Sequence, residues 1–114
     1  MFNLNTIPNI YLAKDFVDFR KSIDGLVSIV FYEYELDPYS SSLFIFCNKN
    51  RNKLKILHYD HNGFWLYYKK LDKSRFKWPQ VDKIEEINFQ QLNFLLSGIE
   101  HNKQIGFKKT NYKM

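Results

Sequence analysis

Basic and aromatic residues are concentrated in one stretch of the chain, Leu43–Pro79. It holds nine Lys or Arg and two Asp, a local charge of +7 against +5 for the whole chain. Cations at this density can follow a phosphate backbone, and exposed aromatic rings can stack on bases. The alternative is a solvated sheet edge, where lysines prevent aggregation. The candidate nucleic-acid-binding residues are Lys49, Arg51, Lys53, Lys69, Lys70, Lys73, Arg75, Lys77, Trp65 and Tyr67.

A zinc site is the second possibility, since His58, Asp60 and His61, with Cys47 elsewhere, are ligand types that zinc accepts. In a strand, however, His58 and His61 would point to opposite faces, and the chain has no paired Cys/His motif. We therefore expect neither a metal nor a cofactor.

Catalytic groups are sparse in this sequence. Two-metal phosphoryl transfer needs several convergent acids, whereas Asp24 and Asp60 stand singly. There is no glycine-rich phosphate loop and no motif around a Ser or Cys nucleophile. We expect that the protein is not an enzyme. A small metal-dependent nuclease using Asp24 or Asp60 is the weakest hypothesis.

Length and composition indicate one domain over residues 1–114, with an ordered core from about 10 to 99 and a basic tail over 100–114. The chain is 45% hydrophobic and 18% aromatic, enough for one core. It has 1 cysteine, so no intrachain disulfide forms, and a reducing cytoplasm is expected. The first residues lack the pattern of a secretory signal. No apolar run approaches the ~20 residues that cross a bilayer, so no membrane partner is expected.

The elements that position these residues begin with a helix. Apolar residues recur at gaps of three and four over Phe19–Tyr34, which predicts a long amphipathic helix. Asp18 is a suitable N-cap. Arg20 and Lys21 then lie on its polar face, and Asp24 is four residues from Arg20, at the spacing of an ion pair.

Strands are predicted through the basic stretch. Leu43–Cys47 is apolar at every position, as in a central strand covered on both faces. Lys53–Asp60 and Phe64–Leu71 follow, with Asn62-Gly63 between them. This dipeptide favours a type I′ turn and predicts a β-hairpin.

A two-residue turn at Asn62-Gly63 would place Leu57 opposite Tyr68 and Lys55 opposite Lys70. The like charges of the second pair would repel each other, and an anionic partner would relieve that repulsion. A longer turn would exchange the two faces. The predicted core face carries Leu57, Tyr59, Phe64, Leu66 and Tyr68. The opposite face carries His58, Trp65, Tyr67 and Lys69.

The remaining elements follow the hairpin. Phe76 and Trp78 are expected to anchor a loop, and Asn88 with Gln91 resembles a capping box before a helix over Phe89–Ser97. We therefore expect an α+β fold: an antiparallel sheet with a β-hairpin, the long amphipathic helix packed on one face, and a second short C-terminal helix at an edge or end.

Five blocks of the chain resemble one family, the TnpB-type accessory proteins encoded by the second reading frame of bacterial insertion sequences of the sixty-six group. The first is Asp18-Phe19-Arg20-Lys21-Ser22-Ile23-Asp24-Gly25-Leu26, and the others lie within Asp37–Phe46, Lys55–Leu71, Arg75–Pro79 and Leu92–Ile99. The family-motif residues without an assigned role are Arg20, Lys21, Asp24, Gly25, Trp78 and Pro79. Phe19 stands where the family usually has Met.

The resemblance implies a protein that is encoded beside a separate transposase and assists transposition without catalysing it. The first hypothesis is a non-catalytic accessory protein that contacts element DNA through the hairpin and the Lys73–Lys77 loop. The alternative is a protein-interaction module that binds the element-encoded transposase without contacting DNA. The expected partners are therefore element DNA or that transposase.

Overall fold

A five-stranded sheet forms the centre of the protein in a computed structural model, which describes residues 6–79 and 82–97. The strand order is β4-β3-β2-β1-β5. With a helix on each face, the architecture belongs to the predicted α+β class. The strands are β1 (Ile10–Leu12), β2 (Leu43–Cys47), β3 (Lys53–Asp60), β4 (Gly63–Lys70) and β5 (Glu85–Ile87).

The sheet is mixed, so the prediction of an antiparallel sheet is wrong in one respect. Strand β1 pairs in parallel with β2, with Ile10 opposite Leu43, and the other neighbouring strands are antiparallel. A parallel pair needs a long crossover, and here the first helix lies in the connection between the two strands.

Alternation along the strands gives the protein two apolar cores, one on each face of the sheet. One core contains Phe44, Phe46 and Leu57 of the sheet with Leu26, Ile29 and Val30 of the first helical segment. The other contains Leu43, Ile45, Cys47, Leu54 and Ile56 with Phe76, Trp78, Leu92 and Leu95. All five residues of β2 are buried, as predicted for a central strand.

The first helix is shorter than predicted. Helix α1 spans Ile23–Ser28 and continues as a π-helical turn over Ile29–Glu33. Its N-cap is Ser22 and not Asp18. Asp18 instead closes a turn, because its carboxylate accepts from the N–H of Arg20 at 2.9 Å and its carbonyl accepts from the N–H of Lys21 at 3.0 Å.

The π-helical turn also changes which residues face the core. The N–H of Tyr34 donates to the carbonyl of Ile29, five residues earlier, at 3.1 Å. This wider turn breaks the 3.6-residue spacing on which the predicted stripe depended. Phe31, which the spacing placed in the buried stripe, is 54% exposed.

The β3–β4 hairpin is present with its turn one position earlier than predicted. His61 and Asn62 form the connection, and His61 takes a left-handed φ of 61°. Leu57 therefore pairs with Leu66, and Lys55 pairs with Tyr68 rather than with Lys70. The two faces keep the predicted residues, since the partner of each residue moves by two positions.

The second helix, α2 (Phe89–Leu96), begins with the predicted capping box, in which Asn88 and Gln91 exchange side-chain and backbone hydrogen bonds at 2.8 Å. It covers a face of the sheet rather than an edge or end, because Leu92 and Leu95 join one of the two cores. The predicted basic tail over 100–114 lies outside the described residues. Among residues 6–79 and 82–97, no helix is long and apolar enough to cross a membrane.

Candidate nucleic-acid interface

Three segments that carry the predicted cations meet at one end of the sheet. Lys53 and Lys70 are paired opposite each other where the hairpin strands end. The N–H of Leu71 donates to the carbonyl of Asn52 at 2.8 Å. The N–H of Phe76 donates to the carbonyl of Arg51 at 2.6 Å. These bonds hold the loop after β4 against the β2–β3 turn. We call this region the basic end; its cations are Lys49, Arg51, Lys53, Lys69, Lys70, Lys73, Arg75 and Lys77.

The β2–β3 turn owes its shape to asparagine side chains. Asn48 Oδ1 accepts from the N–H groups of Asn52 and Lys53, both at 3.0 Å, and Asn48 Nδ2 donates to Asn52 Oδ1 at 2.7 Å. Arg51 takes a left-handed φ of 61° within this turn. Sequence reasoning missed Asn48; an asparagine that opens a turn was the signal available.

An open groove of about 470 Å³ lies beside the basic end. It runs between residues 17–20, the β2–β3 turn and Tyr68 of β4. Its charged lining residues are Arg20, Lys49, Lys53 and Asp18. The structure thus brings the family-motif residue Arg20 beside two of the predicted hairpin cations.

Tyr68 lies on the predicted face of the hairpin, but it is 56% exposed and does not belong to the core. It lies near the end of the edge strand β4, where its ring and that of Phe19 meet at a steep angle of 76° with centroids 6.1 Å apart. Sequence reasoning therefore missed Tyr68 as a candidate site residue. Its place next to Lys69 and Lys70 was the available signal.

Lys55 lies beneath these two rings and is buried, on the face of β3 that also carries Leu57. Its Nζ donates to the carbonyls of Phe19 at 3.0 Å and Lys21 at 2.9 Å. The same Nζ lies 4.8 Å from the ring centroid of Phe19 and 5.7 Å from that of Tyr68. Burial, and to a smaller extent the charge of Lys53, lowers the pKa of Lys55. Lys55 thus holds the 19–21 segment against the sheet.

Arg20 pairs with Asp18, and not with Asp24 as its spacing suggested. Arg20 Nε donates to the two Asp18 carboxylate oxygens at 3.1 and 3.0 Å, and Nη2 donates to one of them. Hydrogen bonds from the Arg20 side chain and backbone lower the pKa of Asp18 to about 2. Asp24 is exposed in the first turn of α1.

Lys21 and Gly25 of the family motif are neighbours. A Cβ at Gly25 would lie 3.3 Å from Lys21 Cβ, so the glycine leaves room for the Lys21 side chain. Close packing of the Lys21 side chain therefore explains why a glycine is accommodated within helix α1 at position 25.

The two predicted stacking residues lie away from the groove. Trp65 is 55% exposed and stacks on Tyr67, with ring centroids 6.0 Å apart and planes at 15°. Both lie on the face of β4 opposite to Tyr68. Trp65 is five residues from Lys70, or ~17 Å along the strand. The structure therefore does not bring Trp65 together with the cations of the basic end.

Several motif residues have structural roles. Lys69 Nζ donates to the carbonyl of Leu96 at the end of α2, at 2.9 Å. Trp78 is buried, and its Nε1 donates to the carbonyl of Ala13 at 3.2 Å, while Pro79 is half-buried beside it. Phe76 and Trp78 thus anchor the loop, as predicted.

The suggested metal ligands have other surroundings. His58 is buried, with Nδ1 at 3.4 Å from the carbonyl oxygen of Ser42. Cys47 is buried on β2, four residues beyond Leu43, the residue that pairs with His58. Burial raises the pKa of the Cys47 thiol to about 12. Within the described part of the chain, no group of three or more His, Cys, Asp or Glu side chains is placed to hold a metal ion.

Comparison with known proteins places these features in context. The family model described as "IS66 Orf2 like protein" matches residues 8–105. Two curated relatives come from Sinorhizobium fredii strain NBRC 101917 / NGR234. The uncharacterised protein y4hO is 33% identical over 92 residues, covering 80% of each chain. The uncharacterised protein y4jC is 30% identical over 92 residues, covering 80% of this chain and 79% of the relative. No solved structure gives a significant match.

Proposed function

The chain belongs to the IS66 Orf2-like protein family, and from this premise we propose that it is a non-catalytic accessory protein that assists transposition of an insertion sequence by contacting its DNA. The proposed contact surface is the basic end of the sheet. The two relatives are themselves uncharacterised, so the argument for DNA depends on this chain's own residues.

The observation that carries the proposal is the convergence of cations from three chain segments on the basic end. Six of its eight cationic residues are exposed, and Arg51 and Lys53 are half-buried. Lys53 and Lys70 oppose each other across the hairpin, an arrangement that is destabilising by itself. A phosphate backbone passing over this end would be attracted by the cations and would relieve their repulsion.

Gel-shift or fluorescence-anisotropy titrations with DNA from the element ends test this proposal. Replacing Lys70, Lys73 and Arg75 by alanine should weaken binding and flatten its salt dependence, by about 0.9 in the log–log slope for each phosphate that the variant no longer neutralises. The matched control is Lys83→Ala, an exposed lysine before β5. If the wild-type protein shows no salt-sensitive DNA binding at low ionic strength, the proposal is wrong.

A second candidate function is binding to the transposase, and one feature of the π-helical turn favours it. Phe31 and Tyr32 are 54% and 74% exposed, and their rings meet edge to face with centroids 4.8 Å apart. Adjacent exposed aromatic residues are typical of protein-binding sites.

Co-purification of tagged protein with the transposase, after nuclease treatment, tests this candidate. The complex should persist in the Lys70, Lys73 and Arg75 variant and should disappear when Phe31 and Tyr32 are both changed to serine. A complex that nuclease treatment disrupts would instead indicate that DNA links the two proteins.

A further inference from the structure

We infer that the groove beside Tyr68 binds a nucleotide of an unpaired nucleic-acid strand, with its phosphate among Arg20, Lys49 and Lys53 and its base against the Tyr68 ring. This inference deepens the proposed DNA contact and depends on it. Neither the family description nor the relatives assign a site to this groove.

The phosphate part of the site is built from two separate segments. Lys49 comes from the β2–β3 turn, which the Asn48 side chain stabilises, and Lys53 is the first residue of β3. Arg20 comes from the turn before α1. Asp18 is the groove's carboxylate, but its two oxygens already accept from Arg20. That pair engages Nε and Nη2 of Arg20, whose side chain is 91% exposed. A guanidinium has five N–H donors, so others stay available for a phosphate oxygen.

The base part of the site is the Tyr68 ring. The ring of Phe19 and the ammonium of Lys55 contact this ring and hold it in place. Tyr68 lines the groove and is 56% exposed. A base can stack on an aromatic ring held in this way, whatever the base's identity. An immobilised ring also loses little conformational freedom when a ligand binds.

The combination favours an unpaired strand over a duplex. In a duplex the faces of each base are covered by the neighbouring bases. The Tyr68 ring, approaching from the side, would contact only the backbone. The volume of about 470 Å³ lies in the usual range for small-ligand sites, about 300–1,000 Å³. A groove that offers cations and one ring side by side therefore fits a single nucleotide of a strand that is melted, frayed or nicked.

Anisotropy titrations with a labelled oligothymidylate and with a duplex of equal length test the inference. Tyr68→Ala should weaken oligothymidylate binding on the order of tenfold and change duplex binding little. Tyr68→Phe, which keeps the ring, should bind like wild type. Tyr39→Ala is the control, since Tyr39 is 58% exposed, much like Tyr68, and lies outside the groove. Thermal melting of each variant checks its folding.

Photocrosslinking gives a direct readout that does not require a variant. An oligonucleotide with one 5-iodouracil should crosslink wild-type protein at Tyr68, as located by mass spectrometry. If duplex binding is salt-sensitive but Tyr68→Ala leaves oligothymidylate binding unchanged, or if the crosslink maps elsewhere, the inference is wrong and the proposed DNA contact stands. If wild type binds neither DNA, both are wrong.

Discussion

Lys55 shows at the scale of one residue how a lysine can stabilise a fold without an acidic partner. Its ammonium is satisfied by the carbonyls of Phe19 and Lys21 and by two ring faces. A positively charged donor shared between two carbonyls fixes the turn before α1 against the sheet. Alternation places Lys55 on the same strand face as Leu57, but it does not indicate what the ammonium binds, because alternation identifies a face and not what covers it.

The first prediction concerns this lysine. Lys55→Met keeps the aliphatic stem but leaves two carbonyls without their donor, so it should lower the free energy of unfolding by about 1–3 kcal/mol. Urea denaturation followed by circular dichroism measures this. Lys49→Met is the matched control at an exposed position, where a change within about 0.5 kcal/mol is expected. Equal effects of the two substitutions would contradict the structural role of Lys55.

The second prediction concerns the reactivity of Cys47. The residue is 0% exposed, and burial raises its pKa to about 12, so its thiol is protonated and shielded at neutral and mildly alkaline pH. Alkylation by iodoacetamide near pH 8 should be slow in the folded protein and fast in guanidinium chloride, because the thiolate is the nucleophile. Mass spectrometry over time measures both rates. Rapid modification of the folded protein would contradict the buried position.

At the scale of elements, residue patterns predicted what local sequence determines. The bounds of β2 and β3, the two faces of the hairpin and the Asn88 capping box all follow from patterns within a few residues. The position of the hairpin turn did not follow from a local pattern, because the sequence did not indicate the left-handed conformation of His61. The start of α1 also depended on a distant contact, since Lys55 binds the carbonyls of the 19–21 segment.

The third prediction concerns the start of α2. Asn88→Ala removes the acceptor for the N–H of Gln91 and should lower the free energy of unfolding by about 1 kcal/mol. Asn93→Ala, at an exposed position inside the same helix, should be neutral or slightly stabilising because alanine favours helix. Thermal or urea unfolding of both variants makes the comparison. Equal destabilisation would show that the cap contributes nothing specific.

At the scale of the whole molecule, charge is distributed unevenly along the sheet. The cations gather where β3 begins and β4 ends, whereas the other end of the hairpin carries an aromatic cluster of Tyr39, Tyr59 and Phe64. Composition predicted a basic stretch of sequence. Only the fold shows that the β2–β3 turn, the end of β4 and the loop after β4 lie together at the basic end. Arg20 and Tyr68 join that location through contacts that no local pattern contains.

The fourth prediction follows from this distribution. In two-dimensional NMR titrations with duplex DNA, amide shifts should concentrate in residues 48–53 and 69–77, because phosphates are attracted to the basic end. Residues 59–64, at the opposite end of the hairpin, serve as the internal control. Shifts concentrated in that control segment would place the contact elsewhere and contradict the proposed orientation.

Strand β1 has a consequence for how the protein is made. It occupies an interior position in the sheet, with Ile10 opposite Leu43 on one side and Ile87 on the other. On the ribosome, β1 is synthesised before both of its partner strands, and β5 follows it by more than seventy residues. Pairing between such distant segments slows folding. Until β5 arrives, β1 is an open sheet edge, so a nascent or truncated chain is more exposed to aggregation than the finished domain.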